Sequence, residues 1–195
     1  VQVNAGNDMA ANMEAAAILA RAAHKDGATF IAFPECVSMI EMGREAVLAK
    51  AAPEEFHPAL AAFTDLAAEL GTWLLAGTLS VRLDEDRIAN RSYLIDSGGG
   101  VRARYDKIHM FDVDLEDGES YRESATYRPG EAATLAETPW GMLGMTVCYD
   151  LRFPHLYRDL ARAGALLLSV PSAFTRPTGR AHWEILLRAR AIENG

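Results

Sequence analysis

Two hydrophobic rhythms alternate along this chain: apolar residues at helical spacing, and short unbroken apolar runs. Met9, Met13, Ala16, Ala17 and Ala20 recur at the helical period behind Asp8, a good N-capping residue. They predict a helix over 9–23, with Gly27 placed for its C-terminal cap. The run 28–33 is continuous and apolar, the pattern of a strand covered on both faces, and Pro34-Glu35 ends it. A second helix follows over 58–70, stopped by Gly71, and then a strand over 73–79. In the middle, 88–95 and 101–105 predict two strands joined by Ser97-Gly98-Gly99-Gly100, a hairpin by its turn residues.

The stretch 111–129 is polar, acidic and without a clear period, so it reads as a long loop, and loops of that length in compact proteins are usually functional or disordered. Beyond it come a strand over 133–137, the turn Pro139-Trp140-Gly141, and an apolar run that delivers Cys148 to an abrupt polar transition. A helix over 154–163 ends at Gly164, a buried strand covers 165–170, and a last helix covers 180–192. Helices alternating with buried strands at both ends, around a hairpin, predict an α/β protein with a mixed sheet. No repeat or linker divides it, so residues 1–195 are expected to form a single domain. The first residues, Val1-Gln2-Val3, read as the end of a strand already under way, and Gly195 directly follows a helix. The chain is therefore expected to be a piece of a longer one.

Charge narrows the function. A net charge of −8 disfavours a nucleic-acid binder, which needs clustered Lys and Arg. No run approaches the ~20 apolar residues that cross a bilayer, and no secretory signal is visible, so a cytoplasmic protein without a membrane partner is expected. The five histidines are scattered without metal-ligand spacing, so no metal or other cofactor is expected. The two cysteines, Cys36 and Cys148, are read as free thiols, with Cys36 as buried filler.

Three residues stand at predicted strand ends, where α/β sheets gather their sites. Glu35 is either a carboxylate at a turn or a general base. Lys107, flanked by Ile108, Met110 and Phe111, is either a solvated lysine or a buried cation. Cys148 is either a structural thiol or a nucleophile, and N–H groups at the following helix start favour its thiolate. A thiol at its ordinary pKa is only a few per cent ionised at neutral pH. Cys, a base and a cation thus make a chemically complete set, but spacing alone does not show that they meet.

Phe33-Pro34-Glu35, Asp106-Lys107-Ile108-His109-Met110-Phe111-Asp112 and Val147-Cys148-Tyr149-Asp150-Leu151-Arg152-Phe153-Pro154 resemble, in order and separation, the three signature segments of the nitrilase superfamily of carbon–nitrogen hydrolases. Ser172-Ala173-Phe174, Thr178-Gly179-Arg180-Ala181-His182-Trp183-Glu184 and Arg188-Ala189-Arg190-Ala191-Ile192-Glu193 resemble its Nit branch, which includes deaminated glutathione amidases and ω-amidases. The resemblance implies an αββα sandwich with mixed sheets, lacking the family's final strands and C-terminal tail, and a homodimer or higher homo-oligomer. It also implies Glu35 as general base, Lys107 as stabiliser of the tetrahedral intermediate, Cys148 as nucleophile and Glu123 as a second glutamate beside them. The implied reaction is hydrolysis of a primary amide in a small carboxylate-bearing molecule, through a cysteine thioester.

Substrate contacts are expected from the backbone of Tyr149, from Phe174 and Thr175 in the loop after strand 165–170, and from Arg152. The last either grips a substrate carboxylate or forms an ion pair with Asp150 or Glu184. Three rivals stand beside this reading: an N-carbamoyl amino-acid amidohydrolase of the same superfamily, a catalytically idle scaffold, and a thiol redox protein in which Cys36 would resolve Cys148.

Overall fold

The computed structural model describes residues 1–115 and 118–195. Its elements, in chain order, are α1 (Met9–Lys25), β1 (Phe30–Ala32), α2 (Arg44–Lys50), α3 (Pro58–Leu70), β2 (Trp73–Leu75), β3 (Leu79–Arg82), β4 (Ile88–Ile95), β5 (Val101–Asp106), β6 (Asp112–Asp114), β7 (Ser120–Arg122), β8 (Thr134–Thr138), β9 (Gly141–Met145), α4 (Pro154–Arg162), β10 (Leu167–Ser169) and α5 (Arg176–Asn194). Local chemistry accounts for the helix ends. The Asp8 carboxylate caps α1 by accepting from Ala11 N at 3.1 Å, and Gly71 closes α3 in the left-handed conformation at φ 59°.

Two sheets stack face to face. In the first, β1 pairs in parallel with β2, while β2 and β3 lie end to end along one edge of β4 and β5 runs along its other edge, all antiparallel to β4. In the second, β9 is central, with β10 parallel on one side and β8 antiparallel on the other. Leu75, Leu94 and Tyr105 of the first sheet meet Ala136, Leu143 and Met145 of the second, with Val147 just beyond β9. On the first sheet's outer face, Ala16 and Ala20 of α1 and Phe63 and Leu66 of α3 cover Ile31, Leu74, Leu79, Tyr93 and Ile95. On the second sheet's outer face, Leu156, Tyr157 and Leu160 of α4 pack with Leu186 and Leu187 of α5 over Leu168. Because β4 sends Leu94 inward and Tyr93 and Ile95 outward into apolar layers, its last three residues, 93–95, read as continuously hydrophobic, behind the polar Asn90, Arg91 and Ser92. The layers are helix, sheet, sheet, helix: the expected αββα sandwich with mixed pairing. Among the described residues no helix is long and apolar enough to cross a membrane.

Several sequence expectations change. The strands over 28–33 and 165–170 are not covered on both faces, since β1 leaves Ala32 exposed and β10, an outer strand of its sheet, leaves Leu167 exposed. Val1-Gln2-Val3 is not part of a strand. The run 73–79 is two strands, because the chain bends at Gly77. The stretch 111–129 is not one loop. Asp112–Asp114 and Ser120–Arg122 form a hairpin, followed by the single 3-10 turn Glu123–Ala125, and Glu116 and Asp117 of that stretch lie outside the described residues. The last helix begins at Arg176 rather than at 180, capped by the Thr175 hydroxyl.

Gly77 (φ +53°) has a structural reason. A Cβ built on it would lie 1.9 Å from the carbonyl oxygen of Pro34. The loop carrying Glu35 therefore rests directly on the bend between β2 and β3. Gly77→Ala is expected to cost about 2 kcal/mol or more through overpacking and left-handed strain. Urea denaturation measures it, and an unchanged midpoint with unchanged slope would contradict this reading.

Candidate active site

All four residues of the expected catalytic set stand just past strand ends on one side of the sandwich. Beyond β1, Phe33 N still donates to Leu75 O at 3.0 Å, and the chain then turns through Glu35 and Cys36, whose φ is 55°. Lys107 follows β5, with its N–H on Asn90 O at 3.0 Å. Glu123 opens the 3-10 turn after β7. Past β9, Thr146 N donates to Ser169 O at 3.2 Å and Cys148 N to Pro171 O at 2.9 Å, so pairing with the β10 strand persists up to the nucleophile position. Cys148 itself sits at φ 47°, in the left-handed region that non-glycine residues rarely adopt, and begins the 3-10 turn Cys148–Arg152.

Asp150 holds that turn. Fully buried, it accepts from Val147 N at 2.8 Å and the Tyr105 hydroxyl at 2.7 Å on Oδ2, and from His109 N at 3.0 Å on Oδ1, where His109 Nδ1 also lies at 2.6 Å. Tyr105 and His109 stand two residues either side of Lys107. The turn bearing the thiol is therefore tied to the strand end bearing the cation.

The charged groups converge. Lys107 Nζ lies 3.0 Å from Glu35 Oε1, and 3.0 and 2.8 Å from the two oxygens of Glu123. Asn90 Nδ2 donates to Glu35 Oε1 at 2.9 Å and to Glu123 Oε1 at 3.2 Å. Glu35 Oε2 accepts from Ala173 N at 2.9 Å, and the Cys148 thiol stands beside the carboxylate. Lys107 and Glu35 are 2% and 5% exposed, so this is a buried ion pair that water does not screen.

Titration follows from that arrangement. Burial pushes the Glu35 carboxyl up, but the Lys107 charge and the hydrogen bonds of Cys148, Lys107 and Asn90 bring it below the usual carboxylate range. Burial pushes Lys107 down, yet two carboxylates hold it well above an ordinary lysine. The Cys148 thiol is held well above its ordinary range, by burial first and then by the Glu35 charge, with Lys107 only partly opposing them. This corrects the expectation that N–H groups at a helix start favour the thiolate. The turn is only five residues long, and the adjacent carboxylate outweighs it. The resting proton belongs to sulfur, next to a base ready to take it.

The cleft in front of Cys148 encloses about 470 Å³ and is walled by Cys36, Arg44, Phe111, Tyr121, Arg122 and Thr175. Of the expected substrate contacts, Thr175 lines this cleft directly. Phe174 turns away, its ring 5.2 Å from Trp183 in an edge contact. Arg152 lies over the rings of Tyr149 and Phe174 at 5.8 Å each, with Nη2 3.2 Å from His182 Nδ1. Neither expected ion pair of Arg152 is the one formed, since Asp150 is occupied as described and Glu184 pairs with Arg188 at 3.0 Å. Tyr149 packs its ring against Phe111 and Phe153. Its N–H lies between those of Cys148, donated to Pro171 O, and Asp150, donated to Val147 O, and finds no acceptor among the described residues. Cys36 and Cys148 are free thiols, and among the described residues no three His, Cys, Asp or Glu side chains are grouped as metal ligands.

Sequence reasoning missed Asn90, Asp150 and the arginines of the cleft wall. Asn90 left a signal: it is a polar side chain 3% exposed, inside a strand otherwise rich in apolar residues.

The carbon–nitrogen hydrolase pattern matches residues 1–195. The chain belongs to the carbon–nitrogen hydrolase family. It is 58% identical over 133 residues to a deaminated glutathione amidase of Yersinia enterocolitica, covering 67% of this chain and 46% of that protein. It is also 39% identical to the human deaminated glutathione amidase, over 98% of this chain and 60% of the relative. Among solved structures, Nit3 of Saccharomyces cerevisiae, a member of branch 10 of the nitrilase superfamily, superposes with a TM-score of 0.87 at 30% identity, over 100% of this chain and 70% of that one. The chain thus spans between about half and three-fifths of the length of those two amidases. In a family amidase from Nesterenkonia sp. AN1, 26% identical with a TM-score of 0.83 over 100% of this chain and 74% of that one, an E41Q mutant carries acrylamide added at the active-site cysteine.

Proposed function

We propose that this chain carries the catalytic centre of an amidase that hydrolyses a primary amide by two-step acyl transfer. One observation carries the reading: a carboxylate base, a buried ammonium and a second carboxylate meet at hydrogen-bond distance and share one cleft with a thiol, each from a separate strand end. Glu35 takes the Cys148 proton as sulfur attacks the amide carbon. The oxyanion that forms is met by Lys107 and the free N–H of Tyr149, and one such preorganised donor is typically worth about 3–4 kcal/mol of barrier. Glu35 passes its proton to the departing nitrogen, ammonia leaves and a thioester remains. Glu35 then draws a proton from water, which attacks the thioester. The acid leaves as the proton returns to sulfur. Glu123 holds Lys107 and orients the substrate nitrogen.

The substrate class is a small amide bearing carboxylate, of the deaminated glutathione or α-keto ω-amide type. The names of the relatives support this; Arg44 and Arg122 on the cleft wall are paired with Asp86 and Asp114. The protein would act as a homodimer, with exposed Ile185 and Ile192 on α5 as apolar surface available for assembly. It would work in the cytoplasm, a compartment that keeps Cys36 and Cys148 as the free thiols observed.

Intact-mass analysis of the full-length protein mixed with candidate amides tests this. The expected result is an acyl adduct on Cys148 with release of ammonia. No adduct and no ammonia across neutral, keto-acid and carbamoyl amides would overturn it. Turnover confined to carbamoyl substrates, with carbon dioxide released beside ammonia, would reassign the substrate class.

A further inference from the structure

Asn90 touches three of the four groups in the catalytic set, and neither its type nor its position was part of the expected set. Its backbone carbonyl accepts from Lys107 N at 3.0 Å, and its Nδ2 donates to Glu35 Oε1 at 2.9 Å and to Glu123 Oε1 at 3.2 Å. With a carboxylate oxygen on each side, only the amide's NH2 end fits between them, so its orientation is fixed by chemistry. Glu35 Oε1 is then saturated by Asn90 and Lys107, which leaves Oε2. That oxygen accepts from Ala173 N, the same backbone group that faces the Cys148 sulfur.

We propose that Asn90 is a positioning residue that holds Glu35 and Glu123 side by side and reserves Glu35 Oε2 for the Cys148 thiol. Two carboxylates share one ammonium here, an excess of one negative charge in a site shielded from water. Lys107 alone is a single point of attraction between them. The planar NH2 of Asn90 adds two directed hydrogen bonds from a rigid central strand, which stabilise the charged form of Glu35 and hold Glu123 beside it. Without it, Glu35 is free to rotate about Lys107 and presents either oxygen, and it takes up a proton more readily. The other groups that face Glu35 stay in place when Asn90 is changed: Lys107 from the end of β5, Glu123 from its 3-10 turn, Cys148 and Ala173 N from the second sheet, and Cys36 and Tyr127 along the cleft wall.

This role rests on Glu35 being the base of the proposed amidase, so the test uses a readout that does not need amide turnover. Methyl methanethiosulfonate is a small neutral reagent. Cys148 Sγ forms a bond to its thiomethyl sulfur, methanesulfinate leaves with the bonding pair, and the thiol proton goes to Glu35. The rate of modification of the full-length protein, assigned to Cys148 by peptide mass, is followed from pH 8 downward through the acid range until the native rate falls. In the native protein the acid limb reports Glu35. In Asn90→Leu the limb is expected to move up by about one pH unit, a roughly tenfold slower reaction on the limb, with the neutral plateau within threefold of native. Turnover should fall in kcat with little change in KM. If Asn90→Leu does not fold, Asn90→Ser, which keeps a small polar side chain too short to bridge the glutamates, is expected to give the same displacement. A folded variant whose limb stays at the native pH would overturn the proposal. If no amide is turned over by the native protein while the limb moves as stated, the amidase reading fails and the role of Asn90 stands.

Discussion

Replacing Lys107 by methionine is expected to lower stability at pH 7 by about 3–5 kcal/mol and to remove turnover together. Methionine matches the length and apolar stem of lysine, so the loss comes from charge. It leaves Glu35 and Glu123 buried and facing each other without their cation, the situation in which breaking a buried pair is most costly. The pH dependence gives the reading a sign. In the native protein Glu35 titrates below its unfolded value, so its contribution to stability is present above about pH 4.5 and is lost as pH falls through the folded value. Lys107 titrates above its unfolded value, so its contribution is full below about pH 10.5 and is lost as pH rises beyond it. Without the ammonium, burial and the neighbouring carboxylate push Glu35 the other way. Lys107→Met should therefore be least stable relative to native protein at neutral pH and should close much of the gap near pH 4. Urea denaturation at both pH values decides it. A deficit that is equal at pH 4 and pH 7 would show that the loss is one of packing and not of charge.

Cys148→Ala separates chemistry from folding. Turnover is expected to fall by about 10⁴-fold or more, because no other nucleophile reaches the cleft at comparable reactivity. Stability should stay within about 1 kcal/mol of native, since alanine keeps the backbone strain at this position and removes only one small buried group. Cys36 is the obvious substitute, and it lines the same cleft. Its thiol, however, is held far above the ordinary range by burial and by Glu35, and its backbone N–H is fixed to Thr78 Oγ1 at 2.8 Å. Ammonia release from the variant measured against native protein checks the claim. Residual turnover above a per cent would move the nucleophile's role to Cys36.

What the sequence made legible was whatever local chemistry specifies. Asp8, Gly27 and Gly71 announced helix ends, unbroken apolar runs announced the strands β1 and β10 though not their burial, and three short segments announced Glu35, Lys107 and Cys148. What it concealed depends on pairing across the sheets. Asn90 looks like one of three successive polar residues in mid-strand until register places it between two glutamates. Asp150 looks like an ion-pair partner for Arg152 until the fold buries it among Tyr105, His109 and Val147. The charge state of Cys148 was inferred from the turn that follows it. Burial first, and then its neighbour from another strand end, Glu35, decided the opposite. The hairpin inside 111–129 was hidden because its strands are three residues each, too short for a period to register.

Glu35, Asn90 and Lys107 ride on one sheet and Cys148 on the other, so the layer of Leu75, Leu94, Leu143 and Met145 between them sets the working distance of the reaction. These residues are a spacer as well as a core. A methylene lost from Leu94 or Met145 would let the sheets settle by a fraction of an ångström, and a bond-forming step feels such a change more keenly than folding does. In this architecture the thickness of the sandwich is itself a catalytic parameter.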